Sequence, residues 1–135
     1  MRDVIEFLNA NRTVFLATAD RGEARVRPFQ FQFESGGRLW FCTSRAKESF
    51  AQLSADPRLE LSATARDMTT LRLRGAANLD DDPEVKRRII EENGLVRSIY
   101  RTADHPDFTA FSVDHGSAML RSEEHTSELQ SHSFI

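Results

Sequence analysis

Cysteine is nearly absent: Cys42 is the one thiol in 135 residues, which excludes an intramolecular disulfide and fits a reducing compartment. No apolar run approaches the ~20 residues that span a bilayer as a helix, and no charged-then-apolar leader opens the chain. The expectation is a cytoplasmic protein with no membrane partner. Charge of one sign is lacking too. The formal net charge is −3, so there is no global pull toward nucleic acid. Aromatic content is lopsided, with one Trp and one Tyr against ten Phe. The phenylalanines fall mostly in short runs with alternating neighbours, a pattern of strands rather than long helices. At this length one domain is expected, large enough to bury a core.

Local signals place the elements. Asp3 is positioned to cap a first helix whose apolar face is Val4, Ile5, Phe7 and Leu8. The β-branched and apolar segment 13–19 reads as a strand, closed by the hairpin turn Asp20-Arg-Gly22. Segment 23–34 follows, in which Phe29, Phe31 and Phe33 alternate with Gln30, Gln32 and Glu34, predicting one buried and one polar face. Pro28 interrupts its ladder and predicts an edge or a bulge. Ser35-Gly-Gly37 is a turn, 38–43 a strand, and 44–54 a helix with Ser44 at its cap and Phe50 and Leu53 inward. Segments 58–65 and 69–79 pair around Arg66-Asp67. Asp82 and Pro83 open a helix that ends near Asn93-Gly94, a short helical piece covers 95–101, and 107–120 is a last strand. That order predicts a mainly β (β+α) fold, a small Greek-key barrel with helices packed outside.

Residues 121–135 break the pattern, being rich in Ser, Glu and His without apolar periodicity. Arg121-Ser-Glu-Glu-His-Thr-Ser-Glu-Leu-Gln-Ser131 resembles a widely used sequencing-library adapter translated in frame. The expectation is a natural domain over 1–120, with its own C-terminus lost, and a non-native disordered tail over 121–135. His125 and His132 are accordingly set aside as metal ligands.

Two segments suit an anion. In Ala24-Arg-Val-Arg-Pro-Phe29, Arg25 and Arg27 share one strand face just before the inward Phe row. Buried charge needs a partner, and a guanidinium fork matches phosphate oxygens; the alternative is an edge strand with its arginines in water. In Phe41-Cys-Thr-Ser-Arg-Ala-Lys47, a strand ends, two hydroxyls follow, and a helix starts with Lys47 in its first turn. A helix N-terminus receives phosphate readily, and a cation there suits an anion held between them. The alternative is a capped helix with a surface lysine. His105 and His115 lack the spacing of a metal site, so no metal is expected. Asp80-Asp-Asp82 reads as a helix cap before it reads as a chelate. Lys86-Arg-Arg88, with Glu84, Glu91 and Glu92 beside it, reads as a solvated helix face and not a nucleic-acid patch.

The ordered set Phe15-Leu-Ala-Thr18, Arg25-Val-Arg-Pro-Phe29, Leu39-Trp-Phe-Cys-Thr-Ser44 with Lys47, Thr69-Thr-Leu-Arg-Leu-Arg-Gly75 and Asp81-Asp-Pro-Glu-Val85 resembles the pyridoxamine 5′-phosphate oxidase-like family over residues 1–120. The resemblance implies an FMN-binding split β-barrel and a homodimer with FMN at its interface. By position, Arg25, Val26 and Arg27 would lie along the flavin, with Arg25 reaching phosphate and the backbone from Val26 to Pro28 flanking the ring. Thr43, Ser44 and Lys47 would complete the phosphate cradle, and Phe41 and Cys42 would line the cofactor wall. Cys42 then packs rather than attacks. The partner subunit would contribute the stretch around Thr70, where relatives often carry Trp or Gln. Pyridoxamine phosphate oxidases also carry a C-terminal segment with Trp and Arg, which has no counterpart here. The implied activity is therefore an FMN-dependent oxidoreductase of another kind, with a nicotinamide donor and a small substrate. The alternative from a different class is a flavin- or haem-binding sensor or stress protein without turnover.

Overall fold

The computed structural model describes residues 1–122 and the strand 130–134; the expectation of a disordered tail over 121–135 falls largely outside the described residues. In chain order the elements are α1 (Arg2–Ala10), β1 (Thr13–Asp20), β2 (Glu23–Gln30), β3 (Phe33–Ser35), β4 (Arg38–Ser44), α2 (Glu48–Ala55), β5 (Arg58–Thr64), β6 (Thr70–Asn78), α3 (Pro83–Glu92), α4 (Gly94–Tyr100), β7 (Phe108–Arg121) and β8 (Gln130–Phe134).

All pairings are antiparallel, in the order β2-β1-β5-β6-β7-β4-β3, with β8 also on β7. Strand β7 pairs with β4 over residues 108–113 and with β6 over residues 112–121, Ser112 and Val113 having both as neighbours. Within the β6–β7 ladder β6 carries a bulge at Gly75/Ala77. A long strand held between β4 and β6, with a bulge in one ladder, bends the sheet on itself, and this makes the split barrel.

Turn chemistry sets the hairpins. Arg21 and Gly22 (φ 53° and 85°) join β1 to β2, and Gly36 and Gly37 (φ 64° and 79°) join β3 to β4. Positive φ at both central residues gives the turn whose twist matches the flanking strands. Asp82 caps α3 as expected, its carboxylate accepting from the Glu84 and Val85 amides at 3.0 and 3.2 Å, with Pro83 following. Pro28 sits on β2, an edge strand where its missing N–H costs little.

Two clusters of buried side chains form on opposite faces of β4. Leu39 and Phe41 face the barrel interior with Val14, Leu16, Phe31, Leu61, Leu73 and Phe111, closed by α1 through Val4 and Leu8. Phe41 stacks on Phe111 at 5.5 Å between centroids. Trp40 and Cys42 face the second cluster, built from Phe33, Phe108 and the inner faces of α3 and α4 (Val85, Ile89, Val96, Tyr100). Each fully buried Leu or Phe contributes about 1.5–3 kcal/mol.

Four local expectations are corrected. Met1 rather than Asp3 occupies the N-cap of α1, and Asp3 lies in the first turn, where its charge suits the helix dipole. The Phe29–Phe33 alternation does not share one face. The backbone leaves the β2 ladder at residue 31, where the Phe31 amide bonds Arg12 O and the Gln32 amide bonds Trp40 O. Phe31 therefore enters the barrel, Phe33 enters the second cluster, and Gln32 is buried against expectation. Asn93 holds it there, donating to Gln30 Oε1 and Gln32 Oε1 at 2.8 and 3.0 Å. Helix α2 begins at Glu48, not Ser44: Ser44 ends β4, and its hydroxyl accepts from the Ala46 amide in a local turn. Finally, α4 starts at Gly94, capped by the Asn93 side chain, and ends before Arg101.

Candidate functional site

Strand register sets which way the β2 side chains point. Arg25 lies opposite Thr18, Arg27 opposite Leu16 and Phe29 opposite Val14, all inward residues of β1. The two arginines therefore share the inward face, as alternation requires, at the end of the barrel covered by α2. Val26 and Pro28 point outward with Ala17 and Phe15.

The two guanidiniums have different company. Arg25 pairs with carboxylates of its own hairpin, Glu23 at 2.9 Å and Asp20 at 3.8 Å. Arg27 has neutral acceptors: the Thr18 hydroxyl at 2.8 Å, Leu16 O at 3.4 Å and Gln52 Oε1 at 2.5 Å. Thr18 Oγ1 also donates to Gln52 Oε1 at 2.7 Å, and both residues are buried. Burial lowers the pKa of Arg27, the Glu48 carboxylate opposes it, and the neighbouring Arg25 adds a smaller lowering. The group remains cationic, since arginine does not lose its proton in proteins. A partly buried cation held by neutral oxygens is an anion-seeking group.

Gln52 belongs to α2, whose opposite end completes the arrangement. Lys47 is the N-cap of α2, in extended backbone, and no side chain caps the helix. Open N–H groups at a helix start favour an anion. Lys47 is exposed, and among the described residues no carboxylate pairs with its ammonium. Glu48 in the first turn is the one opposing charge there. Behind the loop, Thr43 Oγ1 meets the buried Ser49 hydroxyl at 3.3 Å, tying β4 to α2. Arg45, which no sequence signal distinguishes, fixes the loop from its other side. Its guanidinium bonds Pro106 O and Phe108 O at 2.7 and 3.1 Å and pairs with Asp81 at 2.9 Å. Lys86 shares that Asp81 carboxylate, also at 2.9 Å.

The structure thus brings Arg27 and the loop Thr43, Ser44 and Lys47 to α2, with Arg25 one pleat away. Phe41 is sealed in the barrel core, and Cys42 lies on the opposite face of β4. Burial pushes the Cys42 thiol up to about 12, with Lys47 pulling weakly the other way. It is a packed thiol, not a nucleophile at neutral pH. Thr70 stands apart at the start of β6, beside Thr64 at 3.4 Å. The roles of Thr18 and Gln52 have no sequence signal. Their pairing spans 34 positions, and no local pattern marks it.

On the outer face of the sheet lies an open basin of about 720 Å³. Its floor is made of small residues, Ala17, Ala19, Ala24, Gly75 and Gly116, and its rim carries Arg58, Glu60 and Arg74. Nearby on the same face Phe15 and Val26 are 56 % and 65 % exposed.

Residues 2–116 match the family model described as pyridoxamine 5′-phosphate oxidase. No curated protein matches the chain. Among solved structures, a NimC/NimA family protein from Clostridium acetobutylicum is 28 % identical, with a TM-score of 0.90 over 99 % of this chain and 92 % of its own. General Stress Protein 26 from Bacillus anthracis str. Sterne is 15 % identical, with a TM-score of 0.76 over 88 % and 92 %. A pyridoxamine 5′-phosphate oxidase-related, FMN binding protein from Nostoc punctiforme PCC 73102 is 14 % identical, with a TM-score of 0.69 over 99 % and 96 %. The last two likenesses speak for the split-barrel fold.

Proposed function

The chain belongs to the pyridoxamine 5′-phosphate oxidase family, and from that premise we propose that it binds FMN as a homodimer and acts as an FMN-dependent oxidoreductase. The observation that carries the reading is the donor set around α2. Arg27 hydrogen-bonds neutral acceptors only, with the Glu48 carboxylate acting on it through space, Lys47 has no carboxylate partner among the described residues, and the N-terminus of α2 is uncapped. Such a set fits the dianionic end of FMN better than it fits a neutral ligand. Arg27 and Lys47 would hold the phosphate, with the Thr43 and Ser44 stretch shaping the loop. The backbone of β2 from Val26 to Pro28 would support the ring. Exposed Phe15 and Val26 on the outer face give a second copy apolar surface to cover.

Bound FMN supplies hydride and electron transfer, and the protein's part is to bind, orient and shield it. A nicotinamide donor and a small acceptor complete the proposed reaction. The protonated Cys42 contributes packing and no charge. The second reading, a flavin- or haem-binding sensor or stress protein without turnover, is compatible with the fold shared with General Stress Protein 26.

The visible spectrum of the purified protein, with the released cofactor identified, tests the binding proposal. Yellow protein that releases FMN is the expected result, with paler Arg27→Ala and Lys47→Ala variants. Colourless protein that takes up no added FMN would sink the flavin reading. Turnover of NADH or NADPH with an acceptor separates the oxidoreductase from a binder.

A further inference from the structure

An arginine that must meet a phosphate faces two opposed demands. Its long side chain carries roughly 2 kcal/mol of rotamer entropy, so it has to be held still. The usual clamp is a carboxylate, and a carboxylate cancels the charge that the ligand needs. Arg25 illustrates that outcome, with Glu23 and Asp20 against it. Arg27 avoids it. Gln52 Oε1 accepts from Arg27 Nη2 at 2.5 Å and from Thr18 Oγ1 at 2.7 Å, while Thr18 Oγ1 accepts from Arg27 Nη1 at 2.8 Å. The three groups close a triangle that joins β2, β1 and α2. Thr18 and Gln52 are 5 % and 7 % exposed, so water does not compete for the triangle. The guanidinium is fixed by neutral dipoles, so the clamp itself takes none of the charge that an oxyanion needs.

We propose that Gln52, supported by Thr18, is the positioning residue for Arg27, and that this uncharged clamp sets the preference of the site for a phosphate monoester over its neutral alcohol. The inference rests on the FMN reading above, since it specifies how that cofactor's phosphate is told from the hydroxyl of riboflavin. The amide is essential in a particular way. A carboxylate at the same position would hold Arg27 equally still but neutralise it. Clamping and discrimination therefore come apart on a single substitution, Gln52→Glu. A purely structural role for Gln52 cannot separate them.

The test is the ratio of FMN to riboflavin affinity of the stripped protein, read by quenching of flavin fluorescence, with melting temperature measured alongside. The wild type should prefer FMN, and Arg27→Ala should remove most of that preference. Gln52→Leu should lower the ratio about tenfold, the size of one charge-assisted hydrogen bond. In the double variant Arg27→Ala/Gln52→Leu no further loss is expected, because the two residues act as one unit. Gln52→Glu should lower the ratio as well while melting no lower than wild type, and it carries the test if Gln52→Leu fails to fold. If both Gln52 variants keep the wild-type ratio while Arg27→Ala loses it, the positioning role is overturned and the FMN reading stands. If Arg27→Ala also keeps the ratio, Arg27 is not the phosphate's partner and the proposal falls with it. Wild-type protein that binds neither flavin overturns the FMN reading and this inference together.

Discussion

Replacing Gly116 by alanine probes the bend that turns the sheet into a barrel. Gly116 lies opposite Gly75 across the β6–β7 ladder, next to the bulge. A Cβ at position 116 would lie 2.2 Å from Arg74 O, 3.1 Å from Gly75 Cα and 3.2 Å from Arg74 C, all backbone atoms that cannot rotate away. An unstrained carbon–oxygen contact is about 3.3 Å, so the two strands must part by roughly 1 Å. Parting stretches the ladder hydrogen bonds on either side, each worth about 1 kcal/mol, and adds overpacking strain of about 1–3 kcal/mol. The expected loss is about 2–4 kcal/mol. Gly22→Ala is the control: nothing lies within 4 Å of its added Cβ, and only its φ of +85° is unfavourable. That conformation costs an alanine about 1–2 kcal/mol. Urea unfolding followed by fluorescence of the buried Trp40 reads both variants, with the slope m expected to stay constant. A Gly116→Ala variant within about 1 kcal/mol of wild type, or more stable than Gly22→Ala, would refute the clash as the reason for glycine at this position.

Three further outcomes are expected. Burial pushes the Asp81 carboxyl up, but hydrogen bonds and charge from Lys86 and Arg45 outweigh it and hold the group below its ordinary value. A depressed folded-state pKa stabilises above the unfolded value near 3.9 and loses that stabilisation as pH falls through the folded value. Melting temperature should therefore fall below about pH 4 and fall less steeply in Asp81→Asn; parallel acid profiles would contradict this. Cys42, raised to about 12, should react slowly with a disulfide reagent in native protein and fast in urea. Equal rates in the two states would show that the thiol is not protected. Asp82→Ala removes two N-cap hydrogen bonds from α3 and should cost about 1 kcal/mol in urea unfolding, whereas an unchanged midpoint would argue against capping.

Features made by neighbours along the chain are legible in the sequence itself. The turns at Arg21-Gly22 and Gly36-Gly37 need positive φ, and the Asp82-Pro83 start needs a side-chain acceptor and a residue without an N–H, so composition reveals them. The edge position of Pro28 follows from the same local reasoning. What escapes is set at a distance. Gln32 is a polar residue in an alternating strand, and only Asn93, 61 positions away, explains its burial. Gln52 looks like any helix-surface glutamine until Thr18 and Arg27 close on it. Alternation puts both arginines of β2 on one face, and the resemblance gives the phosphate to Arg25. The carboxylates that pair with Arg25 in its own hairpin are the reason that role is proposed for Arg27 instead.

The place of β7 in the sheet bears on how the protein is made. Strands β3 and β4 leave the ribosome early, yet among the described strands their only link to the rest of the sheet is β7. Until residues 108–113 are synthesised, the β3–β4 hairpin has no further strand to pair with, and Phe41 has no Phe111 to stack on. Sheet closure has to wait for nearly the whole chain, a delay that exposes half-built strand edges to other nascent chains. A chaperone that shields Leu39 and Phe41 during that interval would serve this topology more than one acting on the finished barrel.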